Sequence, residues 1–294
     1  MDRIGDWITS IPPVTRYWSM LIFAVGFYSS IAPENKMLVL FIPDKAFSSQ
    51  PWRLITGFCY FGDLSLELVI NMVLSLKAVR YLEESYTCPS SLFPTSIVNT
   101  LTPNQKAKLS GLRENYKTLD FLYLLVQICV SLLVLVTYAF YKMNYKILSP
   151  GLLLDDSLLY IWCRCNPNLI VPLFGIINLK IAYLPLCYTL IRSILEGIFL
   201  KDLDRLVHLD FSVFTSMFAF RHATAYGVAH FWWYYRYFII PKFYADEKLK
   251  TDLRHNTNAI YGVKKYDVVP NLIRLLVLPP WYWCTIGLMK LNRA

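Results

Sequence analysis

The sequence predicts an all-α integral membrane protein, a bundle of six spans with both termini on the cytosolic side. Three observations lead there. Of 294 residues, 56% are hydrophobic, 16% aromatic and only 17% charged, against about 25% charged in an ordinary soluble domain. Apolar runs of near-spanning length recur along the chain. Lysine and arginine are also shared unevenly between alternate loops, which sets orientation in a bilayer.

The first run covers residues 17–31, behind "IPPVTR". The second covers residues 64–79, and the third, residues 119–141, is the cleanest. A fourth, residues 151–162, is short and carries Asp155 and Asp156. The fifth covers residues 181–200 and the sixth residues 211–241. Between the second and third runs, residues 83–117 show no periodic apolar face and read as a flexible polar loop. Residues 1–244 form the membrane domain, and residues 245–294 a basic cytosolic tail. Within that tail, residues 271–289 are apolar but interrupted by Pro279-Pro280 and Arg274. They read as an interfacial segment with a Trp/Tyr anchor rather than a seventh span.

With both termini on one side, 18 lysines and arginines fall on that side and 7 on the other. The termini and the 81–118 loop are therefore expected in the cytosol, and Trp52-Arg53 in the opposite compartment. The N-terminus lacks an apolar signal region, so no cleaved signal peptide is expected. A net charge of +9 fits basic loops meeting anionic headgroups. No basic patch interleaved with stacking aromatics points to nucleic acid. The seven cysteines are scattered, without paired CxxC motifs, so neither a disulfide framework nor a metal site is indicated, and no cofactor is implied.

Polar residues inside apolar runs are the informative ones, because each costs free energy unless it meets a partner or a cavity. Asp155 and Asp156 would each cost roughly 3 kcal/mol at a lipid-facing centre. They are either shielded by protein or project into water. Asn71, Gln127 and Glu196 add polar groups to the second, third and fifth runs. Of the four histidines, His230 lies in the sixth run and reads as a packing or hydrogen-bonding residue. A serine protease reading would pair it with Ser149 or Ser157, but neither stands in a Gly-x-Ser setting. A solute transporter built on Asp155, Asp156 and Glu196 is a further alternative, disfavoured by the lack of internal repeats. Two small-xxx-small pairs, Ala223 with Gly227 and Ala225 with Ala229, allow close helix approach within the fold or to a partner. The following "FWWYYRYF" reads as an aromatic belt, with Arg236 at the interface.

Several ordered blocks resemble the Derlin family, rhomboid-like proteins of the endoplasmic reticulum. They are "IPPVTRYW" (11–18), "QPWRLITGFCYFG" (50–62), "NMVLSLKAVRYLEESY" (71–86), "LDFLYLL" (119–125) and "YIWCRCNPNLIVPLFGIINLKIAYLPL" (160–186). The resemblance implies a six-span rhomboid-like bundle without protease activity. It implies a part in moving misfolded proteins out of the endoplasmic reticulum for ubiquitination and proteasomal degradation, by lateral opening and local bilayer thinning. The implied partners are membrane lipids, misfolded substrates, a ubiquitin-ligase complex and, indirectly, an AAA+ extraction ATPase, with oligomeric assembly left open. The Trp-Arg pair of the family's first luminal loop matches Trp52 and Arg53, which with Asn71, Asp155 and Asp156 are the candidate substrate-path residues. Arg53 is expected at the luminal headgroup boundary, drawing water inward. Departures from the pattern are Ala225 and Ala229 in place of glycines before His230, the acidic pair Asp155-Asp156, and a tail without the short Gly/Phe recruitment motif.

Overall fold

The computed structural model describes residues 10–93, 101–173, 177–195, 217–242 and 277–291. The chain divides into two compact units, residues 1–85 with 124–231 and residues 86–123 with 232–294.

In the first unit, α1 (Pro13–Ile31) starts with proline at its first turn, where the missing N–H costs nothing. Thr15, Trp18, Ile22, Gly26 and Ser29 are buried at helical spacing, while Tyr17, Met20, Leu21, Phe23 and Phe27 are exposed. Its first turn is capped from another helix, α5 (Leu66–Ser85). The buried Glu83 carboxylate accepts from Val14 N, Thr15 N and Thr15 Oγ1 at 3.0, 2.8 and 2.8 Å, satisfying amides that a helix start leaves open. α1 stops at extended Ala32, ahead of Pro33.

The first loop holds three short helices, α2 (Pro33–Val39), α3 (Pro43–Ala46) and α4 (Arg53–Cys59). Further along lie α7 (Lys117–Met143) and α8 (Pro150–Cys165). α8 is the central helix of this unit. Residues on every side of it are buried, including Leu153, Leu154, Asp155, Asp156, Ser157, Leu158 and Trp162. Gly151 permits its contact with the end of α4, since an added Cβ would stand 2.5 Å from the Phe58 carbonyl oxygen. A hairpin follows α8, with β1 (Ile170–Leu173) antiparallel to β2 (Ile177–Lys180) and Ile170 opposite Lys180. The all-α expectation did not include this hairpin. Its β-branched Ile170 and Val171 suit extended backbone. A turn of 3₁₀ helix, Ile181–Tyr183, leads into α9 (Leu184–Leu195), and α10 (Met217–Tyr234) continues as a π-helical stretch, Tyr235–Ile239.

The second unit has its own core of Cys88, Leu92, Phe93, Leu101, Leu109, Ile240, Val277, Leu278, Tyr282 and Ile286. It contains α6 (Pro103–Asn115) and α11 (Pro280–Leu291). Within the 83–117 stretch that the sequence suggested as a flexible polar loop, residues 83–93 and 101–117 are therefore ordered, and residues 94–100 lie outside the described residues. Thr102 Oγ1 accepts from Gln105 N while Gln105 Oε1 accepts from Thr102 N. That reciprocal cap, with Pro103 at the first position, starts α6. Leu92, Phe93, Leu101 and Leu109, too sparse to show a period, supply its apolar contacts. The Trp/Tyr anchor of the tail is revised as well. Tyr282 is fully buried and donates to Asp120 Oδ2 at 2.6 Å, and Trp281 Nε1 donates to Asp120 Oδ1 at 3.0 Å. Arg236 is likewise buried rather than held at an interface. Its Nη1 donates to the Tyr86 hydroxyl, and the guanidinium lies 5.7 Å from the Trp232 ring.

One helix among the described residues, α7, is long and apolar enough to cross a membrane by length and composition. Residues Ile181–Ile194 form a shorter apolar stretch.

Candidate functional site

The first unit buries a connected set of charged and polar side chains contributed by α5, α8, α9 and α10. At its centre Arg192 of α9 bridges both acids of α8, with Nη1 2.9 Å from Asp156 Oδ1 and Nη2 3.1 Å from Asp155 Oδ2. The three are 2%, 0% and 2% exposed in that order, so the charges are met by one another and not by water. Asp155 also accepts from Ser75 Oγ of α5 at 2.6 Å and from the Tyr188 hydroxyl of α9 at 2.9 Å. Tyr188 OH in turn accepts from Arg192 Nη2 at 2.7 Å and sits 3.3 Å from Asn71 Oδ1 of α5. On the far side, His222 Nδ1 of α10 lies 2.9 Å from Asp156 Oδ2.

Helical geometry explains this convergence. Tyr188 and Arg192 are four apart on α9, and Asn71 and Ser75 are four apart on α5, so each pair shares one face. Adjacent residues on α8 diverge by about 100°, so Asp155 meets α5 and α9 while Asp156 meets α9 and α10. A buried carboxylate is tolerated only when paired and hydrogen-bonded. Each acid here has a cation and at least one further polar group.

α10 extends the polar surface. His222, Tyr226 and His230 recur every four residues, and their exposure runs from buried through half-buried to exposed. Tyr226 OH donates to Pro185 O at 3.0 Å and shares a 2.5 Å contact with Thr189 Oγ1. The Tyr160 hydroxyl of α8 accepts from Arg164 Nε at 2.9 Å and lies 2.9 Å from His230 Nδ1. Ser157 Oγ donates to Leu153 O and Ala225 O at 2.7 and 2.9 Å. The Ser157 hydroxyl and the His230 imidazole, one of the two pairs that a serine-protease reading would use, are thus each engaged with other groups.

The small residues of α10 separate into two faces. Ala225 and Ala229 are fully buried, and Ala225 carries the carbonyl that α8 approaches. Ala223 and Gly227 are exposed, and Gly227 lines a groove of about 430 Å³ with Val130, Val134 and Phe231.

Trp52 and Arg53 also separate. Trp52 is 49% exposed, whereas Arg53 is 1% exposed. Arg53 was expected to present its charge to headgroups, and its guanidinium instead turns inward to staple the first loop. Nη1 donates to Met37 O and Leu40 O, both at 2.6 Å, and Nε donates to Gln50 Oε1 at 2.5 Å. Those carbonyls terminate α2 and need donors. Burial lowers the Arg53 pKa from its ordinary value. Beyond the staple, Lys36 Nζ donates to Asp63 Oδ2 at 2.8 Å and Tyr60 OH to Asp63 Oδ1 at 2.9 Å.

Of the candidate residues, the structure brings Asn71, Asp155 and Asp156 into one network and leaves Trp52 and Arg53 in the first loop. Glu196 lies outside the described residues. Sequence reasoning missed Arg192, Tyr188, Ser75 and His222. A partial signal was present, because an arginine within an apolar run either reaches toward an interface or needs a buried acid, and the chain offers two adjacent ones. Among the described residues, no group of three His, Cys, Asp or Glu is placed to hold a metal ion.

Residues 11–228 match the model of the Der1-like family. The chain is similar to Derlin-1 of Arabidopsis thaliana, with 25% identity over 186 residues, 63% of this chain and 58% of that protein. Derlin-1.2 of Zea mays is 25% identical over 186 residues, 63% of this chain and 64% of that protein. A derlin-like protein of Schizosaccharomyces pombe is 25% identical over 207 residues, 68% of this chain and 88% of that protein. The chain thus spans about three fifths of the length of these plant relatives.

Proposed function

The chain belongs to the Der1-like family, and from that premise we propose that it is a non-enzymatic factor of endoplasmic-reticulum-associated degradation. It resides in the membrane of the endoplasmic reticulum as a six-span rhomboid-like bundle with cytosolic termini. There it assists passage of misfolded proteins to the cytosol for ubiquitination and proteasomal degradation. The observation that carries this reading is the distribution of polarity in the first unit. Large apolar side chains face outward from α1, α7 and α9, while Arg192, Asp155, Asp156, Asn71, Ser75 and His222 are inside. Such a polar interior is expensive in a membrane protein and marks a pathway or a device that acts on one.

Lateral opening would present this interior to a polypeptide segment, and the short central α8, about 24 Å at 1.5 Å per residue, favours local thinning of a roughly 30 Å hydrocarbon core. Trp52, exposed on the first loop, is suited to the luminal headgroup region. A ubiquitin-ligase complex and, through it, an AAA+ ATPase are the proposed partners.

Two measurements test the proposal. Glycosylation-site insertion at Ser48 and at Ser110 should modify the first position only, placing the loops on opposite sides. Depletion of the protein should lengthen the half-lives of misfolded luminal and membrane reporters, and an Asp155→Asn/Asp156→Asn chain should restore turnover poorly. Unchanged half-lives on depletion would remove the functional reading.

A further inference from the structure

One side of α10 joins an apolar groove to a polar cluster. Gly227, His230, Phe231 and Tyr234 are spaced three and four residues apart, so they share that side, and all four are exposed. The groove, about 430 Å³, lies between Gly227 and Phe231 of α10 and Val130, Val134 and Leu135 of α7. Its volume falls within the roughly 300–1,000 Å³ of small-molecule sites. Gly227 keeps it open, since nothing stands within 4 Å of an added Cβ there. His230 follows Gly227 by one turn, about 4.5 Å further along the axis at 1.5 Å per residue.

The cluster is assembled on the Tyr160 hydroxyl of α8. Arg164 Nε donates to it at 2.9 Å, and His230 Nδ1 lies 2.9 Å from it, so one oxygen holds the guanidinium and the imidazole side by side. The guanidinium also stacks on the Tyr160 ring, 5.1 Å from its centroid. Arg164, like His230, is exposed. A guanidinium can hold a phosphate through two N–H groups at once. A histidine that takes the phenol proton on Nδ1 carries its own proton on Nε2, which supplies a further donor.

We propose that this surface seats one anionic glycerophospholipid, its phosphate held by Arg164 and His230 and an acyl chain lying in the groove between α7 and α10. The proposal rests on reading the first unit as membrane-embedded and is independent of any part in degradation. Charge and shape together select the occupant. A purely apolar helix would gain nothing from Arg164 and His230, and a soluble anion nothing from the groove. The C-terminal ends of α8 and α10 are cytosolic in that reading, so the lipid belongs to the cytosolic leaflet. Once seated, it bridges α7, α8 and α10.

The test uses the full chain in detergent, stripped of lipid and incubated with dioleoyl phosphatidic acid or dioleoyl phosphatidylcholine. Lipid retained per chain is counted by native mass spectrometry. One phosphatidic acid should be retained at concentrations about tenfold below those that phosphatidylcholine needs. Arg164→Gln removes the cation, and Gly227→Leu fills the groove. Each should weaken phosphatidic acid retention about tenfold, or about 1.4 kcal/mol, with the melting midpoint of the parent. If Gly227→Leu does not fold, Val134→Trp fills the groove from α7 instead. Lys180→Gln, at an exposed basic position of the hairpin, should change nothing. Full retention in a folded Arg164→Gln or groove-filled chain overturns the proposal, and so does an equal loss in Lys180→Gln, which would report diffuse charge. Complete displacement of the lipid by an equal concentration of inorganic phosphate also overturns it, in favour of a free-anion site. Lipid counts read the seat alone, whereas reporter half-lives read degradation. Selective retention with unchanged half-lives on depletion would keep the seat and remove the degradation reading.

Discussion

Nη1 of Arg192 lies 2.9 Å from Oδ1 of Asp156, with the arginine 2% and the aspartate 0% exposed, and the two residues stand on different helices. Truncating one member of such a pair leaves the other charge buried and unmet. Arg192→Ala is expected to cost about 3–5 kcal/mol, read as a lowered midpoint of thermal unfolding in detergent. A chain with Arg192→Met, Asp155→Asn and Asp156→Leu should recover most of that loss, because the unpaired charge is gone. Recovery no better than Arg192→Ala alone would mean that the bridge is not what the loss reports.

Gly151 sits where α8 meets the end of α4, and the nearest atoms to an added Cβ are backbone, Phe58 O at 2.5 Å and Phe58 C at 2.9 Å. Backbone cannot swing aside as a side chain can. Gly151→Ala is therefore expected to destabilise by about 1–3 kcal/mol through overpacking, although alanine is the better helix former. Gly227→Ala, with nothing within 4 Å of the added atom, should be neutral or slightly stabilising. Parallel melts of the two variants check the contrast.

The separation of Trp52 from Arg53 predicts different phenotypes for neighbouring residues. Arg53→Ala strips the donors from Met37 O, Leu40 O and Gln50 Oε1 and should lower stability by about 2 kcal/mol or more. Arg53→Lys should restore little of it, since an ammonium lacks the planar fork that reaches all three. Trp52→Ala, at a half-exposed position, should leave the melt nearly unchanged and act on reporter turnover. Equal melting shifts in Trp52→Ala and Arg53→Ala would contradict the geometry.

The first loop also carries a pH signature. Burial pushes the Asp63 carboxyl up, but hydrogen bonds from Lys36 and Tyr60 outweigh it, and the net pKa falls below the ordinary 3.8. The hydrogen bond to Asp63 raises Lys36 above its ordinary 10.5. Asp63 thus contributes stability above its unfolded pKa, lost as pH falls through the lower folded value. Lys36 contributes stability below its unfolded pKa, lost as pH rises through the higher folded value. The pair is over 40% exposed on each side, so screening limits it to about 0–1 kcal/mol. Melting curves of the parent and Asp63→Asn should differ on the plateau between those limits and converge at the acid end.

In the second unit, Asp120 accepts from both Trp281 and Tyr282. Asp120→Ala leaves the buried Tyr282 hydroxyl without that acceptor, at a cost of about 1–3 kcal/mol. Limited proteolysis should then cut around α11 sooner than in the parent, with little change in cleavage within the first unit. Uniform acceleration throughout the chain would argue against a local anchor.

Much of this was legible in the residues. Apolar runs gave the order and approximate bounds of α1, α5, α7, α8, α9 and α10, because a helix that buries one face or meets lipid on another must repeat its apolar residues over several turns. α6 was missed although Thr102, Pro103 and Gln105 carried its start signal, since its apolar contacts are only a few scattered leucines and a phenylalanine. The acids Asp155 and Asp156 stood out as costly in an apolar run. Their partner Arg192 did not, because a long arginine in a span can as well reach toward an interface.

By itself the sequence determined the apolar composition, the helical order and the family blocks, since these depend on composition and on periodicity along one chain. Only the tertiary structure decided which charges meet. Asn71 and Ser75 are at least 80 residues from the acids and Arg192 about 36, and no local rule tells which face of one helix turns toward another. Arg53 shows the same limit at short range. Beside Trp52 it looked like an interfacial charge, and the fold of the intervening loop brought the Met37 and Leu40 carbonyls within its reach. Pairing of buried polar groups is a property of packed helices, and the chain alone states only that each such group must find a partner.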